Sequence, residues 1–172
     1  MNQRDHRLQP ALLDRLTDLD PHSKIESEDA RVMNKAQIRA AVLRDLSWLL
    51  NAVQPLSREA QAYPGTGDSV LNFGLPPMSG QMASRIDVSM LERVIRQAIL
   101  RFEPRVMQDS LEVKALDATS VLDTHNVIEF EIRGFMWAQP VPLELLLRTQ
   151  VDLEAGQVEV RDASPSLRSR RA

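Results

Sequence analysis

Apolar residues recur at intervals of three and four over residues 35–53, where Ile38, Val42, Leu46, Leu49, Leu50 and Val53 fall on one stripe while Arg39, Arg44 and Asp45 lie off it. That spacing predicts an amphipathic helix. Asn34 is placed to cap its first turn, Pro55 to stop it soon after Val53, and Trp48 sits at the edge of the stripe. A second stripe, built from Val88, Leu91, Val94, Ile95, Ala98, Ile99 and Phe102, predicts a helix over residues 88–102. Asp87 is its N-cap candidate, and Glu92, Arg93, Arg96, Gln97 and Arg101 occupy the other face.

After Arg105 the period drops to two. Leu111, Val113 and Ala115 alternate with Glu112 and Lys114; Ile128, Phe130 and Ile132 alternate with Glu129, Glu131 and Arg133; Leu143, Leu145 and Leu147 alternate with Glu144 and, less cleanly, Leu146. Each run predicts a half-buried strand, and residues 151–160 read as a hairpin around Gly156. Short connections between successive strands favour an antiparallel meander. Helices followed by strands give an α+β domain, with the two main amphipathic helices packed on one face of the meander sheet. A meander of this kind leaves a strand edge that another chain can extend.

The flanks follow a different pattern. Residues 1–33 form a polar N-terminal arm, expected to be flexible, broken by Leu12-Leu13-Asp14-Arg15-Leu16, which has enough apolar character for one or two helical turns. Its leucines are expected to dock on the body of the domain or on a partner, with residues 18–34 as a solvated connector. The α+β domain is expected over residues 34–162, followed by a disordered basic tail at residues 163–172. Within residues 161–172 four arginines stand against one aspartate, a composition that stays solvated. The loop over residues 54–85 is punctuated by Pro and Gly, and its apolar stretch, Val70-Leu71-Asn72-Phe73-Gly74-Leu75, predicts a segment that packs.

Composition narrows the function classes. With 172 residues the chain can close one hydrophobic core, and aromatics at 4% leave Leu, Val, Ile and Met to build it, with no stacking platform for bases. A net charge of -3 offers no positive field, so nucleic acid is not an expected partner. The absence of cysteine removes disulfides and thiolate chemistry and suits a reducing compartment. The first residues carry no apolar segment behind their charges, which predicts no secretory leader, and no apolar run reaches the roughly 20 residues of a membrane span. A cytoplasmic protein without direct membrane insertion is expected.

The candidate chemistry centres on Phe102-Glu103-Pro104-Arg105, at the end of the second helix. Pro104 cannot continue the helical ladder and biases Glu103 away from helical dihedrals. Glu103 therefore faces the negative end of the helix dipole, which costs about 0.3 to 1 kcal/mol unless a cation or donor offsets it. Glu103 as a general acid, with Asp109 or Glu112 as a second carboxylate, is the sharpest enzymatic reading. Arg101 and Arg105 flank the acid and favour its ionised form, which opposes that role. The three histidines, His6, His22 and His125, share no ligand spacing, and His125 is better placed as a turn residue between strands. The stretch Gly65-Thr66-Gly67-Asp68-Ser69 lacks the lysine of a phosphate loop, and no nucleophile elbow occurs. No metal or cofactor is implied.

Taken together, Leu12-Leu13-Asp14-Arg15-Leu16, Ser69-Val70-Leu71-Asn72-Phe73-Gly74-Leu75-Pro76, and Ile95-Arg96-Gln97-Ala98-Ile99 followed by Phe102-Glu103-Pro104-Arg105 resemble the TssE family of type VI secretion baseplate subunits. That family is part of the wider group of contractile-tail sheath initiators, which includes a phage T4 baseplate wedge protein once labelled lysozyme-like. The resemblance implies a structural, non-enzymatic subunit in the cytoplasm, associated with a membrane-docked baseplate. It implies that Glu103, Pro104 and Arg105 contact wedge subunits of the TssF and TssG types. It further implies a handshake-like sheet that templates the first ring of sheath subunits, of the TssB and TssC types, by strand addition. On this reading the partner that the helix dipole demands for Glu103 is expected on another chain. The alternative is a peptidoglycan-cleaving, lysozyme-like hydrolase with Glu103 as general acid.

Overall fold

Two capped helices and a four-stranded sheet carry the architecture. The computed structural model describes residues 10–17, 21–22, 33–55, 62–63, 65–77, 87–116, 127–138 and 141–164. The turn expected at His125, His6, most of the connector and the tail from residue 165 onward lie outside them. The elements are α1 (Leu12–Leu16), α2 (Lys35–Asn51), α3 (Val88–Phe102), β1 (Glu112–Ala115), β2 (Val127–Met136), β3 (Leu143–Asp152) and β4 (Gln157–Asp162). The sheet is antiparallel throughout, in the order β1-β2-β3-β4, so the α+β meander is observed.

Both main helices start where their caps dictate. The Asn34 side chain accepts from the Gln37 backbone N–H at 2.9 Å while the Gln37 side chain accepts from the Asn34 N–H at 2.8 Å, a reciprocal capping box. Asp87 accepts from Ser89 N–H at 2.9 Å and opens α3. From α2, Ile38, Val42, Leu46, Leu49 and Leu50 are buried, and from α3, Leu91, Ile95, Ala98 and Ile99. They meet Ile128, Phe130, Ile132 and Met136 of β2 and Leu145, Leu147 and Val151 of β3 in one core. The opposite sheet face is mostly charged, with Glu112 and Lys114 exposed on β1 and Glu129 and Arg133 on β2. The helices thus cover one face and leave the other to solvent.

Two strands run further than their patterns suggest. The hairpin around Gly156 is observed, with Val151 paired to Val158, but its first arm is longer than expected: β3 continues unbroken from Leu143 to Asp152 and pairs with β2 along ten positions, so Val151 belongs to the same strand as Leu147. Alternation survives across the join because Thr149 faces inward, buried, with its hydroxyl on the Phe130 carbonyl at 3.4 Å. β2 likewise passes through buried Gly134, where an added Cβ would sit 3.5 Å from Leu111 and Ser110.

The loop after α2 packs in part only. Phe73 meets Phe102 edge to face at 5.4 Å, Leu75 is buried, and Val53 and Leu75 form a parallel bridge. Val70 and Leu71, expected to pack with them, are exposed, because a single 3-10 turn over Val70–Asn72 directs only Asn72 inward. The leucines of α1 also point outward: Leu12 and Leu16 are more than two-thirds exposed, and no residue of α1 is buried. No helix among the described residues is long and apolar enough to cross a membrane.

Gly74 controls the return of this loop. It holds φ +119, and a Cβ there would collide with the Ala52 carbonyl, whose oxygen accepts from Leu75 N–H at 2.8 Å. Gly74→Ala is therefore expected to lower unfolding stability by about 2 to 3 kcal/mol in urea denaturation, whereas Gly67→Ala, with open space at its Cβ, stays within about 1 kcal/mol of the parent.

Candidate functional site

The end of α3 turns on a proline. Glu103 N–H makes the last helical bond to the Ile99 carbonyl at 2.8 Å, and Val106 N–H then bonds to the Glu103 carbonyl at 3.1 Å. That second bond closes a β-turn with Pro104 at its second position, where the fixed φ of proline is pre-set for turning. The chain next runs antiparallel to the end of β2. Trp137 N–H donates to the Arg105 carbonyl at 2.7 Å, Met107 N–H donates to the Phe135 carbonyl at 2.8 Å, and Val106 bridges Met136.

Glu103 is 3% exposed, and its demand for a cation is met within its own chain. Glu103 Oε1 accepts from Arg105 Nε at 2.7 Å and from the Arg105 backbone N–H at 3.1 Å, while Oε2 accepts from Arg105 Nη2 at 2.5 Å. The expected partner on another chain is thereby corrected: the turn folds the arginine two residues on back over the acid that precedes the proline. Arg101, the other flanking cation, is committed elsewhere, pairing with Asp68 Oδ1 at 3.0 Å.

The arginine serves two acids. Arg105 Nη2 also donates to Asp45 Oδ2 at 2.5 Å, and Asp45 Oδ1 accepts from Arg44 Nε at 2.9 Å. Arg44 Nη1 in turn donates to Asp14 Oδ1 at 2.6 Å, and the Arg44 guanidinium stacks 5.1 Å from the Trp48 ring centre. A chain of alternating charge, Asp14, Arg44, Asp45, Arg105, Glu103, so joins α1, α2 and the turn after α3. Burial pushes the Arg105 guanidinium down, but hydrogen bonds and charge from Glu103, then Asp45, reverse this and hold it above the ordinary arginine range. Arg44 is raised as well, first by its bond to Asp14, with Asp45 adding to it against burial. Raised cationic groups stabilise the fold throughout the neutral range, and that contribution fades only as pH climbs past the value for free arginine.

Of the predicted site residues, the structure buries Glu103, leaves Pro104 exposed and holds Arg105 at 28% side-chain exposure between two carboxylates. Both Glu103 oxygens accept from one guanidinium, and the residue is 3% exposed. Asp109 is exposed on the short turn over Gln108–Ser110, and Glu112 pairs with Lys114 at 2.8 Å. The residues that sequence reasoning left on a solvated helix face are Arg44 and Asp45, which prove to be the second support of the turn. Their only local signal is opposite charges side by side on α2, common on any helix surface. Among the described residues, no group of His, Cys, Asp and Glu is arranged to hold a metal ion. Around the turn, Met107, Phe135 and Trp137 are exposed at 40%, 47% and 56%, alternating with buried Val106, Met136 and Ala138.

A family model described as baseplate wedge protein gp25 matches residues 36–141. The match takes in α2, α3, the Glu103–Arg105 turn, β1 and β2, and stops ahead of β3. No curated protein and no solved structure matches the chain.

The two arms of the Arg105 bridge differ in what their loss leaves behind. Arg105→Ala strands a carboxylate that is 3% exposed and is expected to cost about 3 to 5 kcal/mol of unfolding stability. Glu103→Gln keeps shape and leaves Arg105 paired with Asp45, for a loss of about 1 to 2 kcal/mol. Urea titrations of both variants check the order; equal losses would show that the acid is not protected by its arginine.

Proposed function

The chain belongs to the baseplate wedge protein gp25 family, a structural family whose members interact with other baseplate proteins, and from that premise we propose that it is a TssE-type sheath initiator of a type VI secretion apparatus. In this reading it sits in the cytoplasm on a membrane-docked baseplate. Glu103, Pro104 and Arg105 form the joint to wedge subunits of the TssF and TssG types, and the sheet templates the first ring of TssB and TssC type sheath subunits by strand addition.

The observation that carries this reading is how densely the turn is bonded. Glu103 at the end of α3 and Asp45 on α2 clamp Arg105, the Trp137 N–H just beyond β2 bonds its carbonyl, and Pro104 is left exposed on top. A joint fixed before the partner arrives loses little conformational entropy on binding. Trp137 and Phe135 flank it as exposed aromatic surface, the residue type that anchors interfaces. Glu103 and Arg105 act here by holding the turn, and Pro104 with the aromatic rim makes the contact.

Surface variants separate the joint from the fold. Pro104→Ala and Trp137→Ala, both at exposed positions, are expected to reduce co-purification of TssF and TssG subunits about tenfold or more while the melting temperature of the isolated chain stays nearly unchanged. Full-strength co-purification by the double variant would place the joint elsewhere. Purified protein is also expected to leave peptidoglycan intact, and release of soluble fragments that disappears with Glu103→Gln would overturn the structural reading.

A further inference from the structure

The outer edge of β4 is already paired, and its partner is a side chain. Asn51, the last residue of α2, accepts from Val158 N–H through Oδ1 at 2.9 Å and donates from Nδ2 to the Val158 carbonyl at 2.7 Å. Nδ2 also donates to the Ser47 carbonyl at 2.8 Å, which anchors the amide to its own helix. A carboxamide is chemically a peptide group, and this one makes the same pair of bonds that an adjoining strand residue would make. Because backbone groups alternate direction along a strand, Val160 presents its N–H and carbonyl on the same edge as Val158. At the far end of β4, Arg39 bonds to Asp162 at 3.3 Å and to the Glu144 carbonyl at 2.7 Å. Among the described residues, side chains of α2 thus contact both ends of β4, Arg39 through the Asp162 carboxylate and Asn51 through the backbone edge at Val158, with Val160 between them.

The other edge is sealed differently. On β1, Ala115 N–H donates to Glu92 Oε1 at 2.8 Å, and just ahead of the strand the Leu111 carbonyl accepts from Arg96 Nε at 3.1 Å. Those bonds are charge-assisted and roughly twice as strong as neutral ones. An incoming strand at β1 exchanges charged bonds for neutral ones, whereas at β4 it exchanges amide for amide.

We propose that β4 is the edge at which a partner strand is added and that Asn51 is a latch holding its place until that strand displaces it. The proposal rests on the templating role assigned above and names its site and its control. The strand that fits is an extended segment with apolar residues beside Val158 and Val160 and polar residues beside exposed Glu159 and Arg161. Free protein is protected from edge-to-edge association by the latch, and binding requires α2 to release a bond pair that the new strand remakes.

The chain lacks cysteine, so a single introduced thiol reports one position. Full-length Glu159→Cys on β4 and Lys114→Cys on β1, each labelled with a benzophenone maleimide, are photolysed with co-purified TssB–TssC type subunits. Cross-linking is expected from position 159 and not from 114, and adding Asn51→Ala is expected to raise capture at limiting subunit concentration about tenfold by removing a competing closed state. Asn51→Asp, which keeps the acceptor for Val158 N–H and loses the donor, serves as a second variant should Asn51→Ala lose its fold by circular dichroism, and is expected to fall between the two. Cross-linking from position 114 alone overturns the choice of edge and leaves the templating role standing. Capture from 159 that neither Asn51 variant changes overturns the latch, and cross-links between two copies of this chain alone overturn the choice of occupant. If neither position captures sheath subunits, the templating role fails and the latch fails with it.

Discussion

A single guanidinium fixes how the three parts of this molecule meet. Arg105 closes both oxygens of a buried glutamate at the end of α3, reaches Asp45 on α2, and through its own carbonyl receives the N–H of Trp137 beyond β2. Each contact alone is ordinary. Their convergence on one residue means that the angle between the helices and their position over the sheet cannot change without exposing or stranding a charge. In a low-dielectric site the attraction repays desolvation only when geometry and hydrogen bonding are good, and here Arg105 bonds both Glu103 oxygens and Asp45. The acid that is unfavourable at a helix C-terminus becomes the reason the turn has one conformation.

Much of this arrangement is legible in the chain, and what is not has physical causes. Helices α2 and α3 are bounded by local signals, Asn34 and Asp87 at their starts and Pro104 after α3, and local signals survive without tertiary context. The pairing of Glu103 with Arg105 rather than Arg101 depends on the turn: the proline brings the following residue back, while the helix carries Arg101 toward Asp68. Asp45 lies sixty positions away along the sequence from its arginine, with nothing in the pattern of α2 to mark it. β3 looked shorter because Thr149 is polar yet faces the core, and β2 looked shorter because Gly134 has no side chain to register as apolar. Alternation is a statement about direction, and polarity reports it only when inward residues are greasy.

The N-terminal segment makes a related point about apolar clusters. Leu12, Leu13 and Leu16 suggest a helix that docks by burying leucine, yet all three are exposed and the segment is held to the body through Asp14, whose side chain is 7% exposed against Arg44. Charge places the segment, and the leucines remain outward. Because Arg44 also holds Asp45, the attachment of α1 and the support of the Glu103 turn share one cation. The two ends of the charge chain are therefore coupled: whatever draws Asp14 away alters the setting of Asp45 and hence of Arg105. The family match covers neither α1 nor the last two strands, so this coupling reaches outside the shared region.

The two layers also guard each other's weak points. A four-stranded open sheet has two edges, and each carries backbone groups able to pair with any extended chain. The helices that cover the apolar face supply side chains that reach round to these edges: Glu92 and Arg96 from α3 at β1, Asn51 from α2 at β4. Placement of the helices by the Arg105 bridge therefore decides more than core packing, since a shift of α2 against the sheet moves Leu46 and Asn51 together. A helix held at its middle by the half-buried Asp45 against Arg105 and bonded to a strand edge at its last residue links the turn after α3 to the sheet through one rod. A displacement of the Glu103 turn is therefore transmitted through Asp45 along α2 to Asn51, and from there to Val158 on β4.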